Sequence, residues 1–543
     1  MADRGSGRIK GAWYGLGPVT RRDLPAAPRP RTVGGVVLAG HGATKRESAS
    51  LPDPGLRGNG PLKAVRIAAL APRIRIPPML GKVFKAYDVR AVYPKPLNEK
   101  LAWQIGYATA EHLLAQAAEA GLDDPMARHL AVGRDMRRSS PSLADALMQG
   151  MQDFGAGVID LGLVDTPMVY FAINHLGCAG GVQVTACHNP AEYNGFKISR
   201  LKAKPVGQDT GLAEIQRLAA LVERDKLEPR GGRRESRDLW APYREHLIRL
   251  LDPRLVDGRI RLKVVIDASN GMAGTMVPKV FGGLKGVQIE PVNFDNSTGT
   301  FVHEPNPLVE ANLAQTKEGV LRHRADLGVC FDGDADRCMV VDELGRSVGC
   351  DLLLAAMVGS VLTQRPGASV VYDLRSSRAV PEAIRAAGGL PVESRVGHVF
   401  MKAKLSETAA PIGGELSGHF YFQDMFDTDS GARAFVATLN TLAAAGKPLS
   451  KVIAPFQRYH QSGEINFQIE DKQGALQALR KAWPKARCHE LDGLSLDAGD
   501  WWCNVRMSNT EPLLRLNLES GSADLTRRMV ETLSPILGHR VDH

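Results

Sequence analysis

From residue 79 onward the apolar positions fall into two alternating periods. Leu101, Ile105 and Ala108 recur at helical spacing behind Asn98, a residue type whose side chain caps a helix N-terminus. Leu212, Ile215, Leu218 and Val222 repeat that spacing. Short apolar runs at 181–184, 264–266, 327–331, 338–342 and 370–372 predict strands between the helical stretches. The runs at 264–266 and 370–372 are each followed by a polar or Gly-containing turn and then a helical segment. This rhythm predicts an α/β fold, with helices layered on mixed or parallel sheets. Composition shifts and loop signals set soft boundaries, giving units 79–235, 236–345, 346–457 and a smaller α+β unit at 458–543. No repeat with a period of about 20–50 residues is visible.

Residues 1–78 follow no sustained apolar period and hold 12 Gly and 10 Pro, so they read as a disordered or mis-started basic extension, with Met79 an equal candidate for the first residue. A transit peptide would want a long amphipathic helix, which this stretch lacks. The charge sharpens that division. The chain carries a net +9, but residues 1–78 alone hold 14 Lys+Arg against 4 Asp+Glu, which leaves the body near neutral. The basic balance therefore gives no ground for a nucleic-acid partner, since the Arg residues of the extension are spread and have little aromatic interleaving. At 44% hydrophobic and 23% charged residues the chain is ordinary globular protein. No run of about 18 apolar residues predicts a membrane span. Seven scattered cysteines without a C-x-x-C pair argue against a disulfide framework or a zinc site and fit a reducing cytoplasm.

The sharpest chemistry lies in Asp332-Gly333-Asp334-Ala335-Asp336-Arg337. Three carboxylates at i, i+2 and i+4 repel one another unless a cation sits among them. Oxygen ligands of this kind favour Mg²⁺ or Ca²⁺ over zinc. An EF-hand would place Asp332, Asp334, Asp336 and Glu343 at its positions 1, 3, 5 and 12. It also demands Gly where Arg337 stands, and helices where the flanks read as strands. The loop is therefore expected to hold Mg²⁺ with a position open for a phosphate oxygen, and Arg337 to neutralise further phosphate charge.

A second loop, Thr185-Ala186-Cys187-His188-Asn189-Pro190, follows the run at 181–184 and leads into Tyr193-Asn194-Gly195-Phe196-Lys197-Ile198. A small residue, a nucleophile, a polar pair and Pro make a tight turn after a strand. Together TACHNPAEYNGFKI and DGDADR resemble the active-site and metal loops of the α-D-phosphohexomutases, most of all the bacterial phosphomannomutase/phosphoglucomutase group. The family's usual pattern is T-A/G-S-H-N-P, so Cys187 stands where the family has its phosphorylated Ser. Three readings stay open at this position: a cysteine that carries phosphate, a small filler in a disabled site, or a change at a Ser codon. A thiolate is a strong nucleophile whose pKa falls near cations, but longer bonds to sulfur would displace phosphorus, so altered turnover is expected.

The resemblance spans residues 79–543 and implies three related α/β domains with mixed sheets plus a smaller C-terminal α+β domain, around a central cleft. Phe84-Lys85-Ala86-Tyr87-Asp88-Val89-Arg90 matches the family opening and implies that Tyr87 and Arg90 face the substrate near the nucleophile. Gly133-Arg134-Asp135-Met136-Arg137 is expected to be scaffold. Gly414-Glu415-Leu416-Ser417-Gly418-His419 matches the sugar-reading loop, with Glu415 accepting from and Ser417 donating to sugar hydroxyls. His398, within Arg395-Val396-Gly397-His398, is implied to shape specificity. The phosphate-binding loop is implied at Arg506, Ser508, Asn509 and Thr510, with His188 and Arg337 also touching substrate. Arg90, Lys197 and His419 are candidates for proton transfer alongside Cys187. The implied metal ligands are Asp332, Asp334, Asp336 and, once phosphorylated, a phosphoryl oxygen on Cys187.

The expected reaction is reversible transfer of phosphate between C1 and C6 of a hexose phosphate, mannose or glucose. It would run through a phosphoenzyme and a hexose 1,6-bisphosphate that also acts as activator, with Mg²⁺ as cofactor. A catalytically impaired sugar-phosphate-binding relative and a phosphoglucosamine mutase are the alternatives. No nucleic-acid or membrane partner is expected, and the protein is expected to be cytoplasmic and a monomer or weak dimer.

Overall fold

A computed structural model describes residues 76–508 and 513–541. The basic extension lies outside the described residues except at its last three positions. Asn98 caps the helix Glu99–Glu119, its side chain accepting from the Leu101 amide at 3.0 Å, and Glu99 adds an acidic first turn. Leu101, Ile105 and Ala108 are buried along one face, each large side chain worth about 1.5–3 kcal/mol of burial. The helix Leu212–Leu221 stops one residue short of the expected apolar series. Val222 turns extended but keeps its side chain buried against Trp103 and Tyr107, so burial rather than helix supplies that position's apolar demand.

Among the described residues the strands form four sheets. In the first, Val89–Val92, Tyr193–Arg200, Gly180–Val184, His129–Arg134, Gly157–Leu163 and Arg234–Ser236 lie side by side in that order. Its inner pairs are parallel and its first two antiparallel. The second sheet runs Ser347–Val348, Cys338–Asp342, Leu327–Phe331, Leu262–Asp267, Val287–Val292, again parallel on one side and antiparallel on the other. The third, Leu390–Ser394, Ser369–Asp373, Ile412–Gly414, Phe420–Phe422, Thr428–Asp429, repeats the mixture. In the fourth all strand pairs are antiparallel, with the helices Lys472–Ala482 and Ala523–Leu537 packed together.

The three mixed sheets and the antiparallel fourth are the architecture expected from the sequence. Parallel strands here need crossover helices, and those helices bury the sheets on their faces; the strands Gly180–Val184, Leu327–Phe331 and Cys338–Asp342 are buried at every position. No described helix is long and apolar enough to cross a membrane.

Candidate active site

The expected nucleophile loop leaves the strand Gly180–Val184 and is anchored from beneath. Arg137, fully buried and paired with Asp135 at 2.9 Å, donates to the carbonyls of Cys187 (2.9 Å), Asn189 (2.8 Å), Pro190 (2.5 Å) and Tyr193 (3.1 Å). A planar fork with five donors suits such a task. Thr185 Oγ1 accepts from the Cys187 amide at 2.9 Å. Cys187 itself sits at φ +54°, the left-handed region that a side chain adopts at a cost of about 1–3 kcal/mol and that clusters at functional sites. The Gly-Arg-Asp-x-Arg segment is thus scaffold of a particular kind: it fixes the loop that carries the thiol.

The metal loop turns between the antiparallel strands Leu327–Phe331 and Cys338–Asp342, with Phe331 opposite Cys338. It presses on the nucleophile loop so closely that a Cβ on Gly333 would lie 2.4 Å from the Cys187 carbonyl oxygen. Asp332, Asp334 and Asp336 are all buried. Asp332 Oδ2 accepts from Arg337 Nε at 2.7 Å and from Cys187 Sγ at 3.3 Å, and Arg337 Nη2 is 3.8 Å from that sulfur. Lys197 Nζ joins Asp334 Oδ2 (2.7 Å) to Asp336 Oδ2 (2.5 Å), and Thr166 Oγ1 donates to Asp334 Oδ2 at 2.6 Å. Two carboxylate oxygens, Asp334 Oδ1 and Asp336 Oδ1, are buried without a hydrogen bond, although His419 Nε2 comes within 3.5 Å of the latter. Unpartnered buried oxygens in a pocket of three carboxylates fit a hard cation.

At the Cys187 thiol burial, and then Asp334, outweigh Lys197, with Asp336 and Asp332 adding to the push, and the thiol rises well above its ordinary range. Against the cost of burial, Lys197 and then His419 hold the Asp336 carboxyl well below its usual range. Burial also opposes charge on His419, but Asp336, Glu415 and Asp429 push it up to about 10.

The loop expected to read the sugar is stitched directly to the loop expected to hold the metal. Arg337 and His419 form an antiparallel bridge, and the Cys338 amide donates to the Gly418 carbonyl. Ser417 Oγ lies 3.0 Å from His419 Nδ1 and 3.1 Å from Glu415 Oε2. Glu415 is buried, accepting from Tyr421 OH (2.8 Å) and the Gly397 amide (2.7 Å), and burial's upward push is overcome by His419 and Arg375, leaving it at about 2. Tyr87 meets His398 edge to face at 5.6 Å, bringing the first and third units together. Arg90 pairs with Asp88 and donates to Asn189 Oδ1 at 2.7 Å, beside the nucleophile loop. His188 Nδ1 lies 3.4 Å from Cys187 Sγ.

In the fourth unit, Arg506 is buried on the strand Trp501–Met507 and pairs with Glu464 at 2.9 Å. The Ser508 amide donates to the Leu513 carbonyl and closes the base of the next loop. Asn509 and Thr510 lie outside the described residues. Several participants carried no signal in the sequence. Arg375 lies between Asp373 (2.8 Å) and Glu464 (3.5 Å), linking the third unit to the fourth. Lys402 pairs with Asp429 at 2.6 Å beside His419, and Thr166 reaches Asp334 from 168 residues away.

This fold and loop set match, in order, the four domains of one family. The phosphoglucomutase/phosphomannomutase alpha/beta/alpha domains I, II and III match residues 81–224, 241–345 and 350–459, and the family's C-terminal domain matches 464–535. The chain belongs to the phosphoglucomutase/phosphomannomutase family. It is 35% identical over 463 residues to a phosphomannomutase of Escherichia coli strain K12, covering 84% of this chain and 98% of that protein. It is 37% identical over 459 residues to phosphohexose mutases of Xanthomonas campestris pv. campestris, with 84% and 98% covered. A solved family protein from Burkholderia thailandensis superposes with a TM-score of 0.74 at 30% identity, covering 84% of this chain and 96% of its own. The open form of a Paramecium phosphoglucomutase, at 18% identity and TM-score 0.67, shares the fold, covering 83% of this chain and 94% of its own.

Proposed function

We propose that this chain is a phosphohexomutase that moves phosphate reversibly between C1 and C6 of mannose or glucose phosphate, with Cys187 as the phosphoryl carrier. The observation that carries the reading is the seat of Cys187 Sγ, 3.3 Å from Asp332 Oδ2 and 3.8 Å from Arg337 Nη2. A sugar hydroxyl attacks phosphorus, the S–P bond breaks, an O–P bond forms, and the hydroxyl proton passes to a neighbouring base. The resulting 1,6-bisphosphate turns around and returns its other phosphate to sulfur. Arg337 and Lys197 flank the transferring group with positive charge, which is the main catalytic demand of phosphoryl transfer. Arg90 and His419 are the further proton-transfer candidates. Arg506, Ser508, Asn509 and Thr510 hold the phosphate that stays on the sugar, Glu415 and Ser417 read its hydroxyls, and Tyr87, His188 and His398 line its place.

Asp332, Asp334 and Asp336 would hold Mg²⁺, together with a phosphoryl oxygen on Cys187, and the ion supplies Lewis-acid neutralisation of phosphoryl charge when bound. A hexose 1,6-bisphosphate primes the carrier. The binding-only alternative is not favoured, since relatives that match nearly their whole length are named as mutases.

The test is a mutase assay with Mg²⁺ and glucose 1,6-bisphosphate on mannose 1-phosphate and glucose 1-phosphate. Turnover by the parent chain and none by Cys187→Ala is expected. Turnover that survives Cys187→Ala sinks the cysteine carrier. Activity confined to Cys187→Ser marks the parent chain as a disabled mutase.

A further inference from the structure

Tyr243 lies where the first three units meet. It is fully buried on the helix Trp240–Ile248, which opens the second unit. Its phenol donates to Asp165 Oδ2 of the first unit at 3.0 Å. Among the described residues no other side chain bonds that carboxyl, and Asp165 Oδ1 is buried without a hydrogen bond. From the third unit, the Ser430 hydroxyl bonds the phenol oxygen. Ser430 Oγ already accepts from the Arg433 amide at 3.1 Å as a helix cap, which leaves its proton for the phenol.

Each partner is followed in sequence by a residue that touches the metal loop. After Asp165, Thr166 donates to Asp334 twice, its amide to the carbonyl at 3.1 Å and its hydroxyl to Oδ2 at 2.6 Å. Lys197 shares that Oδ2, leaving Asp334 Oδ1, buried without a hydrogen bond, for a cation. After Ser430, Gly431 lies so close to the loop that a Cβ there would come 2.7 Å from the Ala335 carbonyl oxygen and 3.0 Å from that of Arg337. One phenol thus ties together the two segments that grip the loop from either side. A Phe ring would fill nearly the same space, so what the hydroxyl adds is direction.

We infer, resting on the reading of the three aspartates as the metal site, that Tyr243 is a positioning residue of the metal loop: through Asp165 and Thr166 on one side, and Ser430 and Gly431 on the other, it sets the orientation in which Asp334 meets a cation. Its removal loosens the carboxylate rather than deleting it, so the effect falls on metal affinity and on the order of the loop.

The full chain, stripped with a chelator and desalted, is titrated with Mn²⁺, which takes oxygen ligands as Mg²⁺ does, and free Mn²⁺ is read by electron paramagnetic resonance. Tyr243→Phe is expected to bind Mn²⁺ about tenfold more weakly than the parent, the lower end of the roughly 10–100-fold that outer partners of a ligand are worth. Leu247→Ala, which opens a cavity one turn further along the same helix, is expected to lower the thermal midpoint and to leave Mn²⁺ affinity at the parental value. In the metal-free chains, hydrogen exchange read by mass spectrometry is expected to quicken in Tyr243→Phe over peptides spanning Thr166 and 332–337, and to stay parental there in Leu247→Ala. Circular dichroism verifies that both variants fold. A folded Tyr243→Phe chain with parental Mn²⁺ affinity overturns the inference. So does a Leu247→Ala chain that weakens Mn²⁺ as much, which would make Tyr243 an ordinary packing residue. A parent chain that binds no Mn²⁺ sinks the metal reading instead, and parental exchange in Tyr243→Phe then overturns its hold on the loop.

Discussion

Arg137 touches no expected substrate atom, yet it organises the loop around Cys187. Its guanidinium satisfies four carbonyls of the turn and neutralises buried Asp135. Arg137→Met would strand that carboxylate, and removing one partner of a buried pair costs about 3–5 kcal/mol. Urea unfolding should register a loss of that size. Gly333→Ala probes the opposite wall of the site. Its new methyl would press on the Cys187 carbonyl at 2.4 Å, so the two loops must move apart. A displacement of about 1 Å is expected to lower kcat about 100-fold, with a much smaller change in the unfolding midpoint.

His398 gives a pH signature at the same scale. Burial first, then the positive charges of Lys402, His419 and Lys197 against the single carboxylate of Asp429, lower it to about 4. The Tyr87 ring closes its other side. A folded-state value below the unfolded one means the unfolded chain binds the proton first. The stability that neutral His398 contributes is therefore complete above about pH 6.5 and lost as pH falls toward 4. The stability difference between the parent and His398→Gln should shrink over that window. A difference that stays flat would show that His398 keeps an ordinary pKa.

At the level of elements, the metal hairpin was legible because both its strands are continuous apolar runs and its turn is three carboxylates spaced by small residues. The helix Glu99–Glu119 was legible from its cap and period. In the fourth unit the motif pointed to Arg506 but its support was not legible: Arg506 depends on Glu464, which lies on the strand His460–Gln468 and also pairs with Arg515. Such links form only when distant segments meet, and no local period encodes them. Thr166 and Arg375 escaped the sequence for the same reason. Arg506→Ala is expected to raise KM for a hexose phosphate about 10–100-fold, the loss of a charged hydrogen bond worth about 1.5–3 kcal/mol, with kcat less affected. An unchanged KM would place the substrate phosphate elsewhere.

On the whole-molecule scale, the alternation of strands and helices foresaw α/β layers, composition and loop signals set off a smaller fourth unit, and the three mixed-sheet domains came from the motif resemblance. The joints between units were not foreseen, because they are made of side chains. Arg378 binds Asp497 at 2.6 Å and the Gly499 carbonyl at 2.7 Å, and Arg458 binds Glu382 at 2.6 Å, tying the third and fourth units through exposed or half-buried charge. The first three units meet instead at the metal loop, through Lys197, Thr166 and the strand-like bridge of Arg337 with His419.

The ammonium of Lys197 between Asp334 and Asp336 has a consequence for how the protein is assembled in a cell. The carboxylates carry a resident counter-ion contributed by another unit, so the pocket can form before any dication arrives. Loading of the proposed metal would then be a late and reversible event, governed by supply rather than by the folding machinery. A chelator should silence the protein without dismantling it. The midpoint of thermal unfolding should move by no more than about 1 °C on stripping stoichiometric metal, the response of a chain this long to about 1 kcal/mol, whereas Lys197→Met should make the same midpoint depend steeply on added magnesium.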